Sequence, residues 1–475
     1  MNLKKTKIIA TLGPASGSIE IIERMVVAGV NVFRINTSHG DHFSIKELVK
    51  KVRQVEEKLN TFLGILLDLQ GPKIRVGEFK KGFIEIHRND QLVFTTEKIE
   101  GDEKNVPIQY EKFHLEVKPG NLIFLDDGNL SVRVREVNEK KVIVKVENGG
   151  ILSNYKGLNL PESNLSISPI TKKDRADLQV GLKAGVDFVA LSFVKNAREI
   201  KSLKNLIKKA GATAEVIAKI ERKEAIGNLE EIVKETDAVM VARGDMGVEI
   251  SYEMVPIVQM DILKIAGKYG KPVIIATQML ESMVHNHRPT RAEVSDVANS
   301  VASYADALML SAETAVGKFP VKAVEVMSKS ARRMEKYQKE NNKIMPWWFP
   351  EGEIAPITSG ITYAANQMSE LLEGKAIVAF TESGGTIRHV SRPKPNIPVF
   401  GFTPHVSVAR QMTIVRGAYP YVMNKEIDIK KPLRHIFSVL KDEGLIKKGD
   451  RIILTSGLPM RVSGTTNMIR VEIVR

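Results

Sequence analysis

Short apolar runs closed by polar turns alternate along this chain with amphipathic stretches of helical period. Three runs come early: TKIIATLG from Thr6, NVFRINTSH from Asn31 and FLGILLDLQG from Phe62. Five come later: DFVALSFV from Asp187, EVIAKIE from Glu215, DAVMVARGD from Asp237, KPVIIATQM from Lys271 and DALMLSAE from Asp306. They are rich in β-branched residues and apolar on both faces, the pattern of parallel strands covered on each side. Between them lie segments such as SIEIIERMVVAG and AREIKSLKNLIKKAG, the second ending at a glycine stop. Eight strands with helical crossovers predict an α/β fold built on a (β/α)8 TIM barrel.

From about Gly71 to Pro169 the period changes to simple alternation. GFIEIHRNDQLVFTT suggests a hairpin turn at Asn89-Asp90, and KKVIVKVENGGIL ends on a double glycine. This predicts a separate all-β domain inserted between the third and fourth barrel strands. After Glu340, KIMPWWFPEGEIAP reads as a linker. The helix-like ITSGITYAANQMSELLEG and the runs AIVAFTESGG, PVFGFTP, AYPYVMN and RIILTSG then predict a smaller, doubly wound α/β domain. The expected boundaries are 1–70 with 170–345 for the barrel, 71–169 for an inserted β-barrel, and 346–475 for the C-terminal domain.

Composition narrows the class only a little. With 43% hydrophobic and 27% charged residues over 475 positions, the chain reads as globular and multidomain. No apolar run approaches the ~20 residues of a membrane span. The basic N-terminus runs straight into a strand and is no signal peptide, so a cytoplasmic location and no membrane partner are expected. The absence of cysteine excludes disulfides and thiolate metal sites. A net charge of +14 fits either a nucleic-acid surface or an enzyme of anionic substrates. Because the lysines and arginines are spread out and aromatics do not interleave with them, no nucleic-acid partner is expected.

The C-terminal ends of barrel strands form the catalytic face, and here they are polar throughout. The second run ends in Arg34, Asn36, Ser38 and His39, the third in Asp68, the fourth in Ser192-Phe193. The fifth ends in Lys219 and Glu221, the sixth in Arg243-Gly244-Asp245, the seventh in Thr277-Gln278, and the eighth in Ser311 and Glu313. One polar strand end is ordinary. Seven in succession, several charged, mark a site.

Lys219 and Glu221 stand two apart on a strand and therefore share a face. With Asp245 as a second carboxylate, the hard oxygens fit Mg²⁺ or Mn²⁺ better than Zn²⁺. The N–H groups of Gly244 and Asp245, at an expected helix start, suit a carboxylate or phosphate. Arg34 offers a planar cation for phosphoryl oxygens. Lysine, arginine and a metal around one anion stabilise charge during phosphoryl transfer, though enolate chemistry could use the same set.

Other motifs carry less. No GxxxxGK[ST] loop occurs, the Arg-Gly-Asp tripeptide is coincidental, and His285 and His287 lack further ligands for zinc. The run Thr381–Thr386 (TESGGT), between a strand and a helix, is either a phosphate cradle or a tight turn.

Taken in order, several stretches resemble the pyruvate kinase family over essentially the full length. They are TKIIATLGPAS, VNVFRINTSHG, GPKIRVG, KGLNLP, IAKIE, MVARGDMGVE, IATQMLESM with RPTRAEVSDVANSV, and MLSAETAVGKFP. The resemblance implies transfer of the phosphoryl group of phosphoenolpyruvate to ADP, giving ATP and pyruvate, the last step of glycolysis. It assigns Arg34 and Lys219 to the phosphoryl group, with Lys219 as transition-state stabiliser, and Glu221 and Asp245 to Mg²⁺ or Mn²⁺. Gly244, Asp245 and Thr277 would receive the substrate carboxylate, and enolpyruvate would be protonated near Thr277 and Ser311. Asn36, Thr37, Ser38, His39, Arg75 and Lys156 would lie on the nucleotide side. The β insertion would be a lid that excludes water. A homotetramer is implied, as is an anionic allosteric effector near Thr381, Ser383, Gly384, Gly385, Thr386 and the later LTSGLPMRVSGTTNM.

Two departures matter. Many members need K⁺ and carry Thr-Lys-Gly-Pro-Glu after the third-strand aspartate, whereas this chain reads Asp68-Leu69-Gln70-Gly71-Pro72-Lys73. This resembles the K⁺-independent subgroup, in which the Lys73 ammonium would stand in for the ion. Asn36, Ser38, Asp68 and Leu69 would remain as the remnant of a monovalent-cation site. Ala312 also replaces a glycine common in relatives, next to Ser311. Two rivals stand beside this reading. Another barrel enzyme of phosphoenolpyruvate or pyruvate, such as an aldolase or mutase, would not need Arg75 or Lys156. A silent basic binding protein would not need Lys219, Glu221 and Asp245 together.

Overall fold

The computed structural model describes residues 3–38, 40–163, 166–341, 356–423, 430–457 and 466–475. All eight expected barrel strands form: β1 (Lys7–Leu12), β2 (Val32–Asn36), β3 (Gly64–Asp68), β4 (Phe188–Leu191), β5 (Glu215–Ile220), β6 (Ala238–Ala242), β7 (Val273–Ala276) and β8 (Ala307–Leu310). Each pairs in parallel with its sequence neighbours, and β8 returns to β1 to close the barrel. Alternate residues serve two cores. Ile9, Val32, Leu66, Phe188, Met240, Ile274 and Met309 belong to the inner one; Ile8, Phe33, Ile65, Val189, Val216 and Val239 pack among the helices.

The helices start and stop where local chemistry directs. Ser18 caps helix Ile19–Ala28 and Asn196 caps helix Ala197–Lys209. Helix Lys172–Ala184 opens on a capping box between Thr171 and Asp174 and ends at Gly185 in the left-handed conformation. The inner core continues through the barrel floor into Met412, Ile414 and Val415. Gly64 is required there: a Cβ would sit 2.6 Å from Thr413 Oγ1 and 2.9 Å from the Phe188 ring.

Between β3 and β4 the chain makes the expected all-β unit. Seven strands form one sheet, and its two edges meet through a Val76–Ile108 bridge and a Gly77 N–H to Pro107 carbonyl bond of 2.7 Å. Phe94, Phe113, Ile123, Val132 and Val144 fill its interior. The expected hairpin at Asn89-Asp90 does not form. Phe83–Ile86 pairs with Gly150–Ser153, while Gln91–Thr95 pairs with Lys141–Asn148. The turn is real, with Asn89 at φ 77°, but it hands the chain from one sheet to another. Alternation fixes which face is buried and leaves the partner open.

The C-terminal strands β9 (Ala376–Phe380), β10 (Val399–Thr403), β11 (Ala418–Val422), β12 (Arg451–Gly457) and β13 (Thr466–Ile473) form a sheet ordered β11-β10-β9-β12-β13. Ile377 and Ala379 cluster with Ala365, Ile387 and Val390, while Ala376, Val378 and Phe400 cluster with Ile436 and Leu440. Helices thus cover both faces, as a doubly wound sheet requires. Antiparallel β13 and helix Lys430–Asp442 go beyond the elements read from sequence. The expected linker lies outside the described residues up to position 355. Among the described residues no helix is long and apolar enough to cross a membrane.

Candidate active site

The ends of β2 to β5 bring two cations and two carboxylates together. Arg34 donates from Nε to Asp68 Oδ2 at 2.7 Å and from Nη1 to Thr11 Oγ1 at 3.0 Å. Lys219 Nζ donates to Ser192 Oγ at 2.8 Å and lies 3.6 Å from Asp68 Oδ1 and 3.4 Å from Glu221 Oε2. Asp68 therefore sits between the arginine and the lysine. Glu221, just past β5, is 1% exposed; its Oε1 accepts the Phe193 N–H at 2.6 Å. Its Oε2 has no hydrogen-bond partner among the described residues.

The charges set one another. Burial alone would raise the Asp68 carboxyl, but Lys219 and Arg34 outweigh it and hold the group below its ordinary value. Burial would lower Lys219, yet Asp68, Glu221 and Asp245 outweigh it and raise the ammonium above the usual lysine value. Lys219 is thus a fixed cation rather than a proton shuttle. Burial pushes Glu221 up, and Asp245 and Asp68 push the same way against Lys219. A buried carboxylate with one oxygen that accepts no hydrogen bond, raised further by a second carboxylate, is a place that gains from a divalent cation. No group of three or more His, Cys, Asp or Glu residues suited to a metal occurs among the described residues. Two hard-oxygen side chains fit Mg²⁺ or Mn²⁺ better than a softer ion.

On the far side, helix Arg243–Glu249 begins directly at the end of β6 and places Gly244 and Asp245 in its first turn. The Gly244 N–H, expected to face an anion, instead donates to Thr277 Oγ1 at 2.8 Å. The Thr277 hydroxyl in turn donates to the Ala276 carbonyl at 2.6 Å. Thr277 (φ 66°) and Gln278 (φ 52°) are both left-handed. Such non-glycine positions cost about 1–3 kcal/mol each and persist only when their surroundings enforce them. Arg243 supplies the enforcement: Nη2 donates to the Thr277 carbonyl at 2.8 Å while both Nη atoms hold Asp296 at 2.8 Å. The arginine of the discarded Arg-Gly-Asp tripeptide is therefore structural support for the site. Its partner stands 53 residues later, so spacing gave no signal. Buried Glu313 plays a like part, accepting Ser311 N–H at 2.7 Å and Leu280 N–H at 3.0 Å. It ties the ends of β7 and β8 together beside Ala312.

The remaining candidates separate into two groups. Thr37 is fully buried, and both its N–H and hydroxyl donate to the Asp68 carbonyl at 3.1 Å. Ser38 N–H caps onto Asn36 Oδ1 at 3.1 Å, and the Leu69 carbonyl accepts the Ser192 hydroxyl at 2.7 Å. His39 lies outside the described residues. Arg75, Lys156 and Lys73 instead bond within the insertion, to the Tyr155 carbonyl at 2.8 Å, Asp126 at 2.6 Å and Asp127 at 3.1 Å. Lys73 thus faces Asp127 rather than the Asn36–Asp68 group expected of a built-in cation. It leads into the first insertion strand and packs over Gly157, where a Cβ would come 2.6 Å from Lys73 Cε.

In the C-terminal domain, Thr381–Thr386 bends from the end of β9 into a short helix. Gly384 (φ 81°) opens the short helix Gly385–Ser391, the Thr386 hydroxyl pairs with that of Thr466 at 2.9 Å, and Glu382 holds His405 at 2.7 Å. Residues 458–465 of the second expected loop lie outside the described residues. His287 packs edge-on against Phe319, a structural contact.

Comparison with known proteins agrees with this geometry. The family model for the pyruvate kinase barrel domain matches residues 3–324, and that for the pyruvate kinase alpha/beta domain matches 359–472. Pyruvate kinase 2 of Synechocystis sp. is 43% identical over 99% of this chain and 80% of its own length. The pyruvate kinase of Thermotoga maritima is 42% identical over 99% of both. A crystal structure of a pyruvate kinase from Cryptosporidium parvum superposes with a TM-score of 0.91 at 32% identity, covering 99% of this chain and 96% of that one. The chain belongs to the pyruvate kinase family and is a phosphotransferase of that class.

Proposed function

We propose that the cluster at the barrel mouth transfers the phosphoryl group of phosphoenolpyruvate to ADP without requiring K⁺. The observation that carries the reading is the Lys219 ammonium, fixed between Asp68, Glu221 and Ser192 with Arg34 across the same aspartate. Two immobile cations aimed at one place suit the spread-out negative charge of a transferring phosphoryl group. Lys219 contributes charge and Arg34 contributes charge and orientation. Glu221 and Asp245 would hold Mg²⁺ or Mn²⁺, which offsets phosphoryl charge when bound.

The substrate carboxylate would fall to Gly244, Asp245 and Thr277. If the Thr277 hydroxyl turns from the Gly244 N–H toward that carboxylate, both become donors to the same anion. Protonation of enolpyruvate belongs near Thr277 and Ser311, on the side braced by Arg243 and Glu313. The nucleotide would lie along Asn36, Thr37, Ser38 and His39, with Arg75 and Lys156 brought in by the insertion. Residues 71–169 would then act as a lid over the barrel of 1–70 and 170–345. The C-terminal domain, 346–475, would carry an anionic-effector site at Thr381–Thr386 in a cytoplasmic homotetramer.

For K⁺ independence, Lys73 would exchange Asp127 for the Asn36, Ser38, Asp68 and Leu69 group as the lid closes. The test is a phosphoenolpyruvate and ADP assay in tetramethylammonium salts, with and without K⁺. Equal rates are expected; strong activation by K⁺ would overturn this part of the reading.

A further inference from the structure

We propose that Lys173 and Asp177 are positioning residues that set the distance between Thr37 and His42. The Lys173 ammonium donates to the Thr37 carbonyl and to Asp177 Oδ2, each at 2.6 Å. The second oxygen of the same carboxylate, Asp177 Oδ1, meets His42 Nε2 at 3.0 Å. Asp177 is 1% exposed, so its position is dictated by packing, whereas the side chains of Lys173 and His42 are about half exposed.

One ion pair on helix Lys172–Ala184 therefore grips both ends of the stretch joining β2 to helix His42–Lys58. Thr37 is also bound from the opposite side. Its N–H and hydroxyl are spent on the Asp68 carbonyl, leaving its own carbonyl for Lys173. Asp41 caps the following helix through Ser44 N–H at 2.8 Å, which fixes the far end relative to His42. Strand pairing already sets Asn36 opposite Asp68, and the clamp fixes Thr37 and, through it, Ser38, whose N–H bonds Asn36 Oδ1. Among the described residues no hydrogen bond or ion pair joins Lys173 or Asp177 to Arg34, Lys219, Glu221 or Asp245, so the effect should reach the chemistry only through Thr37 and its neighbours.

The inference rests on the reading that Asn36–Ser38 face the nucleotide. The test is steady-state kinetics on the full-length enzyme with each substrate varied in turn. Lys173→Met is expected to raise the KM for ADP about tenfold, since small misplacements of a positioning segment cost that much or more. The KM for phosphoenolpyruvate should stay put, and Lys173→Arg, which keeps charge and donors, should recover most of the loss. An unchanged KM for ADP, or a rise shared equally by both substrates along with a lowered Tm, would overturn the proposal. Should Lys173→Met fail to fold, His42→Ala, which removes the half-exposed partner of Asp177, decides: an ADP-selective rise supports the clamp and no change refutes it. A wild-type enzyme that makes no ATP would sink the nucleotide reading itself. An active wild type with indifferent variants sinks only the clamp.

Discussion

Replacing Lys219 with methionine is expected to lower kcat by about 10⁴-fold, within the range seen when a transition-state cation is removed. At 1.36 kcal/mol per decade this is about 5 kcal/mol of transition-state stabilisation. The loss should fall on kcat, because Arg34 and the proposed carboxylate side at Gly244 and Thr277 remain to hold the ground state. Stability should depend on metal. Without Lys219, Asp68 keeps Arg34 at 2.7 Å, but Glu221 faces Asp245 with no ammonium between them. The variant should therefore melt close to wild type in Mg²⁺ and below it in a chelator. Turnover near the wild-type rate would remove Lys219 from the chemistry.

Exchanging Glu221 for glutamine is expected to cost about 10³-fold in activity, as loss of a charge-stabilising group at a reacting centre does. The pH behaviour gives a sharper signature. The folded Glu221 titrates above its ordinary value of 4.5 because of burial and Asp245. Between 4.5 and that raised value, about 7, the native state keeps a proton that the unfolded chain has lost. Metal-free stability contributed by this group therefore falls as pH rises through the window. A divalent ion needs the bare carboxylate, so its affinity should climb through the same window and its binding should release a proton. Calorimetric Mn²⁺ titration in buffers of different ionisation enthalpy measures both. Glu221→Gln should abolish the proton release; metal affinity independent of pH in the wild type would contradict the assignment.

The barrel was legible because parallel strands buried on both faces leave unbroken apolar runs, and all eight runs became strands. Lys219 and Glu221 were legible for a related reason. Their period-two spacing puts them on one face, and they stand 3.4 Å apart. What stayed hidden depends on contacts distant in sequence. The run through Asn89-Asp90 looks like a hairpin because alternation carries no partner information. Arg243 looked incidental because Asp296, which aims it at Thr277, lies on a later helix. Lys73 stands just beyond the third strand in sequence, but its side chain follows the insertion to Asp127. In sequence Gly244 looks like an open donor, and only the left-handed turn at Thr277 brings a hydroxyl onto it.

The most direct measurement is to quantify products from phosphoenolpyruvate, ADP and Mg²⁺ in buffer free of K⁺. If Lys219 and Arg34 flank a metal held by Glu221 and Asp245 as proposed, the phosphoryl group should go to the nucleotide rather than to water. ATP and pyruvate in equal amounts are the expected result. Pyruvate accompanied by free phosphate and no ATP would contradict it, as would no reaction at all.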